Sequence, residues 1–421
     1  MVVPVQLRSF TIGIGVLVCA CTAPDEPLPI VGGRTSTTVL ARVDLGTLGG
    51  ASSVTADINN QGIVVGSSQT ASGATHAFRW TAAGGMIDLG TLAGDVESQA
   101  VAILDGTTPD DGQILGFSGT DGDWTPVVWS SSGESHALPI PLLPNATFGR
   151  PTAFNALGQV VGWDLSSLQH AWVWSATGGK HDLTAGAPGG SPEGAATAIM
   201  PSGTVLLTTR AQTCHVTFEC WRTYQWTASS GYAALGIPDD DPEVAVTGLG
   251  ASENGTIVGW FSRTSTGTTA YRWDENGGFT FLPHYPAPGF RAGYAAAVNA
   301  SGIVVGAETD PSTGRYVATL WSSSSDIVRL SPDNANSGVA LAINTSGNVV
   351  GWEAVSESAT HAVLWTAHPE LIAPNARRIT PAAGASPTIS PCLAAMQAAI
   401  SRAELSSCVA ARPRSHSRSY P

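Results

Sequence analysis

The chain has 421 residues, of which 43% are hydrophobic and only 12% charged, with a formal net charge of −13. That balance excludes disorder driven by excess charge, and so acidic a chain argues against a nucleic-acid partner, because it repels phosphate backbones. Its 48 glycines and 27 prolines suit short strands separated by many turns rather than long helices.

Residues 1–20 read as an export signal. Arg8 supplies a thin positive start, and Phe10 to Ala20 form an apolar stretch too short to span a bilayer. The stretch runs into Val18-Cys19-Ala20-Cys21, which resembles the lipobox of bacterial lipoproteins. That resemblance implies that Cys21 carries the lipid and opens the mature protein as an outer-membrane-anchored or cell-surface lipoprotein. Residues 21–41, which begin Cys21-Thr-Ala-Pro-Asp-Glu-Pro, are then the tether. Ordinary cleavage after Ala23, with Cys21 discarded, is the alternative. No second hydrophobic run is long enough to cross a membrane, so membrane contact is expected through the anchor only.

From residue 42 the chain repeats itself. A tryptophan closes one segment of every unit at Trp80, Trp129, Trp174, Trp226, Trp273, Trp321 and Trp365, at intervals of 44 to 52 residues. A glycine recurs in step at Gly66, Gly116, Gly162, Gly259, Gly306 and Gly351, and is missing only from the fourth unit, where Val205-Leu-Leu-Thr208 stands. Seven units follow. Each holds four strand candidates. The first is built of small residues, as in Ala153-Phe-Asn155, Ala297-Val-Asn299 and Ala342-Ile-Asn344, and leads into a turn with Asn first and Gly fourth. The second is a β-branched Val-Val-Gly run. The third alternates, as in His76, Phe78 and Trp80 against Ala77 and Arg79. The fourth is of the Asp-Leu-Gly type, as at Asp88-Leu89 and Asp182-Leu183.

Four antiparallel strands per unit, seven times over, predict an all-β fold: a seven-bladed β-propeller of four-stranded antiparallel blades over residues 42–373. Small residues suit the crowded centre, and Trp and Leu fill the wider gaps outside. A β-solenoid or two smaller β domains are the competing architectures. Asp44-Leu-Gly46 stands alone before the first unit and can complete the last blade; Glu370-Leu-Ile372 competes for the same place.

The pieces Asp44-Leu-Gly-Thr-Leu-Gly-Gly50, Ala56-Asp-Ile-Asn-Asn-Gln-Gly-Ile-Val-Val-Gly66 and His76-Ala-Phe78 together resemble the HAF repeat family of probable extracellular proteins. His170-Ala-Trp172 and His361-Ala-Val363 match the triplet in part. The resemblance implies export and repeats, and supplies no reaction.

Residues 374–421 are of a different kind: a Pro/Ala/Ser linker, a short helical segment stapled by a Cys392–Cys408 disulfide, and a basic tail. Arg377, Arg378, Arg402, Arg412, Arg414 and Arg418 face one acid there, Glu404. Cys214 and Cys220 form a second local pair. In an exported chain such pairs read as disulfides, and a zinc site from Cys214, His215 and Cys220 fits the usual paired spacing poorly.

No local catalytic signature is present: no Gly-x-Ser-x-Gly, no His-Glu-x-x-His, no phosphate-binding loop. The His that opens the third strand (His76, His170, His361) becomes Thr125, Arg222, Thr269 or Val317 in other units, so it reads as structural. Phe117, Trp163, Trp260 and Trp352 follow the strand glycine and are candidates for a ligand-stacking patch, with packing between blades as the plainer use. The acidic loops at Asp105, Asp110 and Asp111, at Asp121 and Asp123, and at Asp239, Asp240, Asp241 and Glu243 are candidate calcium ligands without the spacing of a known loop, so no cofactor is expected. The expectation is a monomeric, non-catalytic binding or scaffold protein of the bacterial cell envelope that offers a propeller face to a protein or glycan. The alternative is a glycan- or peptide-cleaving propeller with carboxylates gathered near the channel.

Overall fold

The computed structural model describes residues 34–35, 40–106, 112–130, 133–211, 221–237, 244–263, 267–285, 291–322, 324–331 and 337–366. All regular structure within them is β-strand. The first repeat forms one antiparallel sheet of Gly49–Ile58, Val64–Thr70, Thr75–Thr81 and Gly85–Gly90, in that spatial order. The second follows with Glu97–Ile103, Ile114–Thr120, Asp123–Trp129 and Ser135–Ala137. The third has Phe148–Phe154, Gln159–Leu165, Gln169–Ser175 and Gly179–Asp182. The fourth has Gly190–Ile199, Val205–Ala211, Trp221–Thr227 and Gly231–Ala234.

Repeats five and six share a nine-stranded sheet. The fifth supplies Ala245–Ala251, Ile257–Arg263, Gly267–Asp274 and Gly278–Phe281; the sixth supplies Arg291–Val298, Val304–Thr309, Tyr316–Trp321 and Asp326–Arg329. A short parallel contact, Gly267 and Thr268 against Arg291 and Ala292, joins the two groups. The ninth strand, Arg34–Thr35, lies parallel to Asp326–Ile327 on the outermost edge.

The last sheet answers the question of closure. Its first three strands are Gly338–Ile343, Val349–Ala354 and Thr360–Thr366, and its outer strand is Ala41–Asp44 from the opposite end of the chain. The rival segment at 370–372 lies outside the described residues, as do Cys21, both cysteine pairs and the C-terminal helical segment. This last sheet packs on the first and so closes the array on itself. A core of Val43, Leu45, Ala342, Val350, Ala362 and Leu364 meets Ile58, Val64, Phe78 and Trp80 there. Every other pair of successive repeats encloses a core of the same kind. The fold is therefore all-β and propeller-like: four-stranded antiparallel sheets whose faces are buried only against their neighbours.

Two devices recur. Every first strand carries a one-residue bulge, as between Thr55 and Asp57 or Ala340 and Ala342, which bends it and raises its twist. Beside the bulge, the second-strand glycine lies against the first strand. A methyl group on Gly66 would stand 2.1 Å from the Val54 carbonyl oxygen, and one on Gly351 would stand 1.9 Å from that of Val339. Repeat four places Leu207 opposite Ala196 at this position, and its first strand carries a second register shift.

The other device is the turn asparagine. Its Oδ1 accepts the amide four residues on, as with Asn59 and Ile63 or Asn344 and Asn348. Its Nδ2 donates to a carbonyl of the next sheet: Asn155 to Met200, Asn299 to Asn344, and Asn344 to Asn59 across the closure. One side chain thus shapes its own turn and ties two sheets together.

Gly351→Ala is expected to cost about 1–3 kcal/mol by overpacking, read as a lowered denaturation midpoint. Asn344→Ala, which frees a buried carbonyl at the closure, is expected to cost about 1–3 kcal/mol by the same measurement.

Candidate functional site

The four aromatics that follow the strand glycine pair across to the first strand: Phe117 with Gln99, Trp163 with Arg150, Trp260 with Thr247, and Trp352 with Val339. Phe117, Trp163 and Trp352 are only 1%, 6% and 2% exposed, whereas Trp260 is half-buried. Phe117 packs edge-on against Trp124, with the Arg150 guanidinium over both rings, and Trp163 packs edge-on against Phe148. Trp352 and Trp260 join Tyr294, Tyr316, Val339, Leu341, Leu249 and Val54 in one cluster shared by repeats five, six, seven and one. The buried indole N–H groups of Trp163 and Trp352 have no hydrogen-bond partner among the described residues. The aromatic face nearest to solvent in this set is that of Trp260.

The residue after this position points the other way in all seven repeats and forms a column that sequence reasoning missed: Ser68, Ser118, Asp164, Arg210, Phe261, Glu308 and Glu353. Several of these side chains hold the loop that leads into their own repeat. Ser68 Oγ accepts from Leu48 N, and Ser118 Oγ accepts from Leu92 N. Asp164 Oδ2 accepts from Leu143 N at 2.6 Å and from Lys180 Nζ at 2.5 Å, while its Oδ1 accepts from the Trp172 indole at 2.7 Å. Lys180 also donates to the Pro141 carbonyl and sits 4.2 Å from the Trp172 ring centroid. Burial draws its amine below the usual lysine range, and the hydrogen bond and charge of Asp164 oppose that shift. Lys180 is the only lysine in the chain.

The remaining acids of the column have equally specific partners. Glu308 Oε2 accepts from His284 Nδ1 at 2.9 Å. Glu353 is ion-paired with Arg42 on the closing strand; burial pushes its carboxyl above the ordinary range although Arg42 opposes this. In repeat four Arg210 is paired with Glu193 of the first strand.

A second column explains the His and Asp of the repeat. His76 Nδ1 meets Asp88 at 2.8 Å, His170 meets Asp182 at 3.2 Å, and His361 meets Asp44 at 2.7 Å. The same aspartates accept the backbone amide two residues on, at Gly90, Thr184 and Gly46. Each pair therefore ties the third strand to the fourth and caps the turn that leaves it. In repeat seven the fourth strand is Ala41–Asp44, so this contact spans the closure.

Of the candidate calcium ligands, Asp105 receives the backbone and side-chain N–H groups of Asn60, and Asp121 and Asp123 are exposed. Asp110, Asp111, Asp239, Asp240, Asp241 and Glu243 lie outside the described residues. Among the described residues no three His, Cys, Asp or Glu side chains gather at metal-binding distance.

No family model matches the chain, and no curated protein matches it. Solved structures do. A puromycin-hydrolyzing peptidase of Mycobacterium tuberculosis superposes with a TM-score of 0.54 at 12% identity, over 85% of this chain and 57% of that one. A puromycin hydrolase gives 0.53 at 14% identity, over 80% and 55%. An oligogalacturonate lyase in complex with manganese gives 0.52 at 8% identity, over 80% and 96%. This chain spans little more than half the length of the two puromycin-hydrolyzing proteins and nearly all of the lyase. At these identities the likeness is one of fold.

Burial pushes the Asp44 carboxyl up, but the hydrogen bonds from His361 and Gly46 and the charges of His361 and Arg42 outweigh it and leave it below its ordinary value of 3.8. Ionised Asp44 therefore stabilises the folded chain above that pH, and the contribution is lost as the pH falls through the lowered value. Asp44→Asn is expected to melt below the native chain at pH 7. The gap should narrow progressively as melting is repeated at pH values falling below 3.8.

Proposed function

We propose that this chain is an exported, lipid-anchored binding protein of the bacterial cell envelope, with no catalytic centre of its own. In this reading Cys21 is lipidated, residues 21–41 are the tether, residues 42–373 are a monomeric seven-bladed propeller of the HAF repeat type, and residues 374–421 are an appended segment. The count of seven takes the nine-stranded sheet as two blades and one added edge strand.

The observation that supports this reading is what the acids of the two columns do. Asp164, Glu308 and Glu353 hold a linking loop, a histidine and the closing strand, and Asp44, Asp88 and Asp182 clasp histidines while capping turns. Side chains that could donate or abstract protons are thus bound into the architecture of single repeats. The half-buried Trp260, beside Tyr316 and Tyr294, is the aromatic best placed to stack on a sugar ring or grip a peptide side chain. The rival reading, a glycan- or peptide-cleaving propeller, draws on the lyase and the peptidase that share the fold, and needs carboxylates collected from several sheets.

The two readings separate on glycan and peptidoglycan-fragment arrays probed with the purified protein. Retention without released product is expected, weakened on the order of tenfold in Trp260→Ala. Product release that vanishes on substitution of one acid would establish the enzyme instead.

A further inference from the structure

We infer that the end of the ring bearing the asparagine turns is the one apposed to the lipid headgroups, which leaves the linking loops and the second-to-third-strand hairpins facing away. The inference rests on the lipidated Cys21 proposed above and takes its direction from strand register. Thr366 closes the third strand of repeat seven, opposite Ala41 of the closing strand. The other end of that third strand, Thr360, pairs with Ala354, so Ala41 and Thr366 share the end of the sheet where Val349 leaves its asparagine turn. On repeat six, Arg34 lies beside Asp326, the first residue of its strand; the next residue of that strand, Ile327, pairs with Trp321, and Trp321 pairs with Val304 just past the Asn299 turn. Both covalent exits, toward residue 33 and toward residue 367, therefore lie at the turn end, at the rim of repeats six and seven.

Two kinds of attachment follow from those exits. Only 12 residues lie between Cys21 and Arg34, a reach of at most roughly 45 Å over the 13 Cα-to-Cα steps. The opposite end of the ring stands about 23 Å further off, the length of a seven-residue strand. From Thr366 the chain continues past Glu370 into residues 374–421, which hold six arginines and one acid, Glu404. Such a basic segment is drawn to anionic headgroups and supplies a second contact beside the acyl chain.

The surface next to these exits is compatible with that contact. The turns of repeats six and seven expose Ala300, Ser301, Thr345 and Ser346, and the neighbouring third-to-fourth-strand turn exposes Ser322, Ser324 and Ser325, none of them charged. On the same end, Leu157 in the turn of repeat three is 65% exposed. The exposed acids on this end, Asp105, Glu134, Glu253 and Glu275, belong to repeats two and five, and Asp326 of repeat six is partly buried. The hairpins of the far end carry Asp121, Asp123 and Glu357.

The single native lysine gives a clean probe. Lys180 is buried and bonded to Asp164, so an introduced lysine becomes the reactive amine of the folded protein. Full-length lipidated Ser346→Lys (turn end) and Ser72→Lys (hairpin end) are each labelled with an amine-reactive donor fluorophore. They are then bound to phosphatidylethanolamine–phosphatidylglycerol vesicles containing a headgroup acceptor. Energy transfer several-fold stronger from position 346 than from position 72 is expected, together with a loss of vesicle binding at high salt in the Arg412→Gln, Arg414→Gln, Arg418→Gln variant relative to the native chain. Equal or reversed transfer with binding intact overturns the orientation alone. A Cys21→Ser protein that still fractionates with membranes in cells overturns the lipid anchor, and the orientation with it.

Discussion

A sheet of three or four short strands with two apolar faces has no means of burying either face by itself, and every other feature of this chain answers that constraint. Successive sheets must lie face to face, and the last must find the first, or two apolar faces stay in water. Small residues in the first strands let the sheets converge at the centre. The bulge and the second-strand glycine bring that inner strand closer than any Cβ would permit. Trp and Leu fill the spreading gap outside, as Trp321 and Leu282 do between repeats five and six and Trp365 and Leu330 do between six and seven.

The polar groups serve the same stacking. Burying an amide or a carboxylate is tolerated only with partners at hand, and the repeat supplies them in columns. The turn asparagine spends one half of its side chain on its own turn and the other on the next sheet. The second residue after the second-strand glycine changes identity from Ser to Asp to Glu, yet in repeats one, two and three it pins the chain arriving from the previous sheet. Asp164, with Lys180, Trp172 and Leu143 around it, is the most fully bonded of these. A carboxylate so placed resembles an active-site acid in burial and differs from one in that both of its oxygens are already bonded to the protein.

Much of this was legible in the sequence, because tandem repetition turns one structural role into seven readable copies. The strand order, the Asn-to-Gly turn and the tryptophan positions could be read this way, and so could the structural use of His76, His170 and His361. Other features were hidden for definite reasons. The Ser/Asp/Glu column conserves a task, not a residue type, so no letter recurs. The second hydrogen bond of the asparagine falls on a backbone carbonyl 45 residues away, and a carbonyl has no sequence identity. The closing strand could not be chosen because Asp44-Leu45 and Glu370-Leu371 offer the same pattern; the described contacts of Ala41–Asp44 rest on His361 and Glu353, some three hundred residues further on. The candidate stacking aromatics were identified by position alone, and burial, which separates Trp260 from Phe117, Trp163 and Trp352, depends on neighbours from adjoining repeats.

That closing contact fixes an order of events in biogenesis. The strand Ala41–Asp44 is among the first parts of the body to leave the ribosome, and its partner Thr360–Thr366 is among the last. Until then its donors and acceptors and the outward face of the first sheet stay unsatisfied, which is the circumstance that favours aggregation in slow, high-contact-order β-proteins. A nascent chain of this design keeps that edge open for the whole interval, and its sheet array is closed only when the last-made strand meets the first.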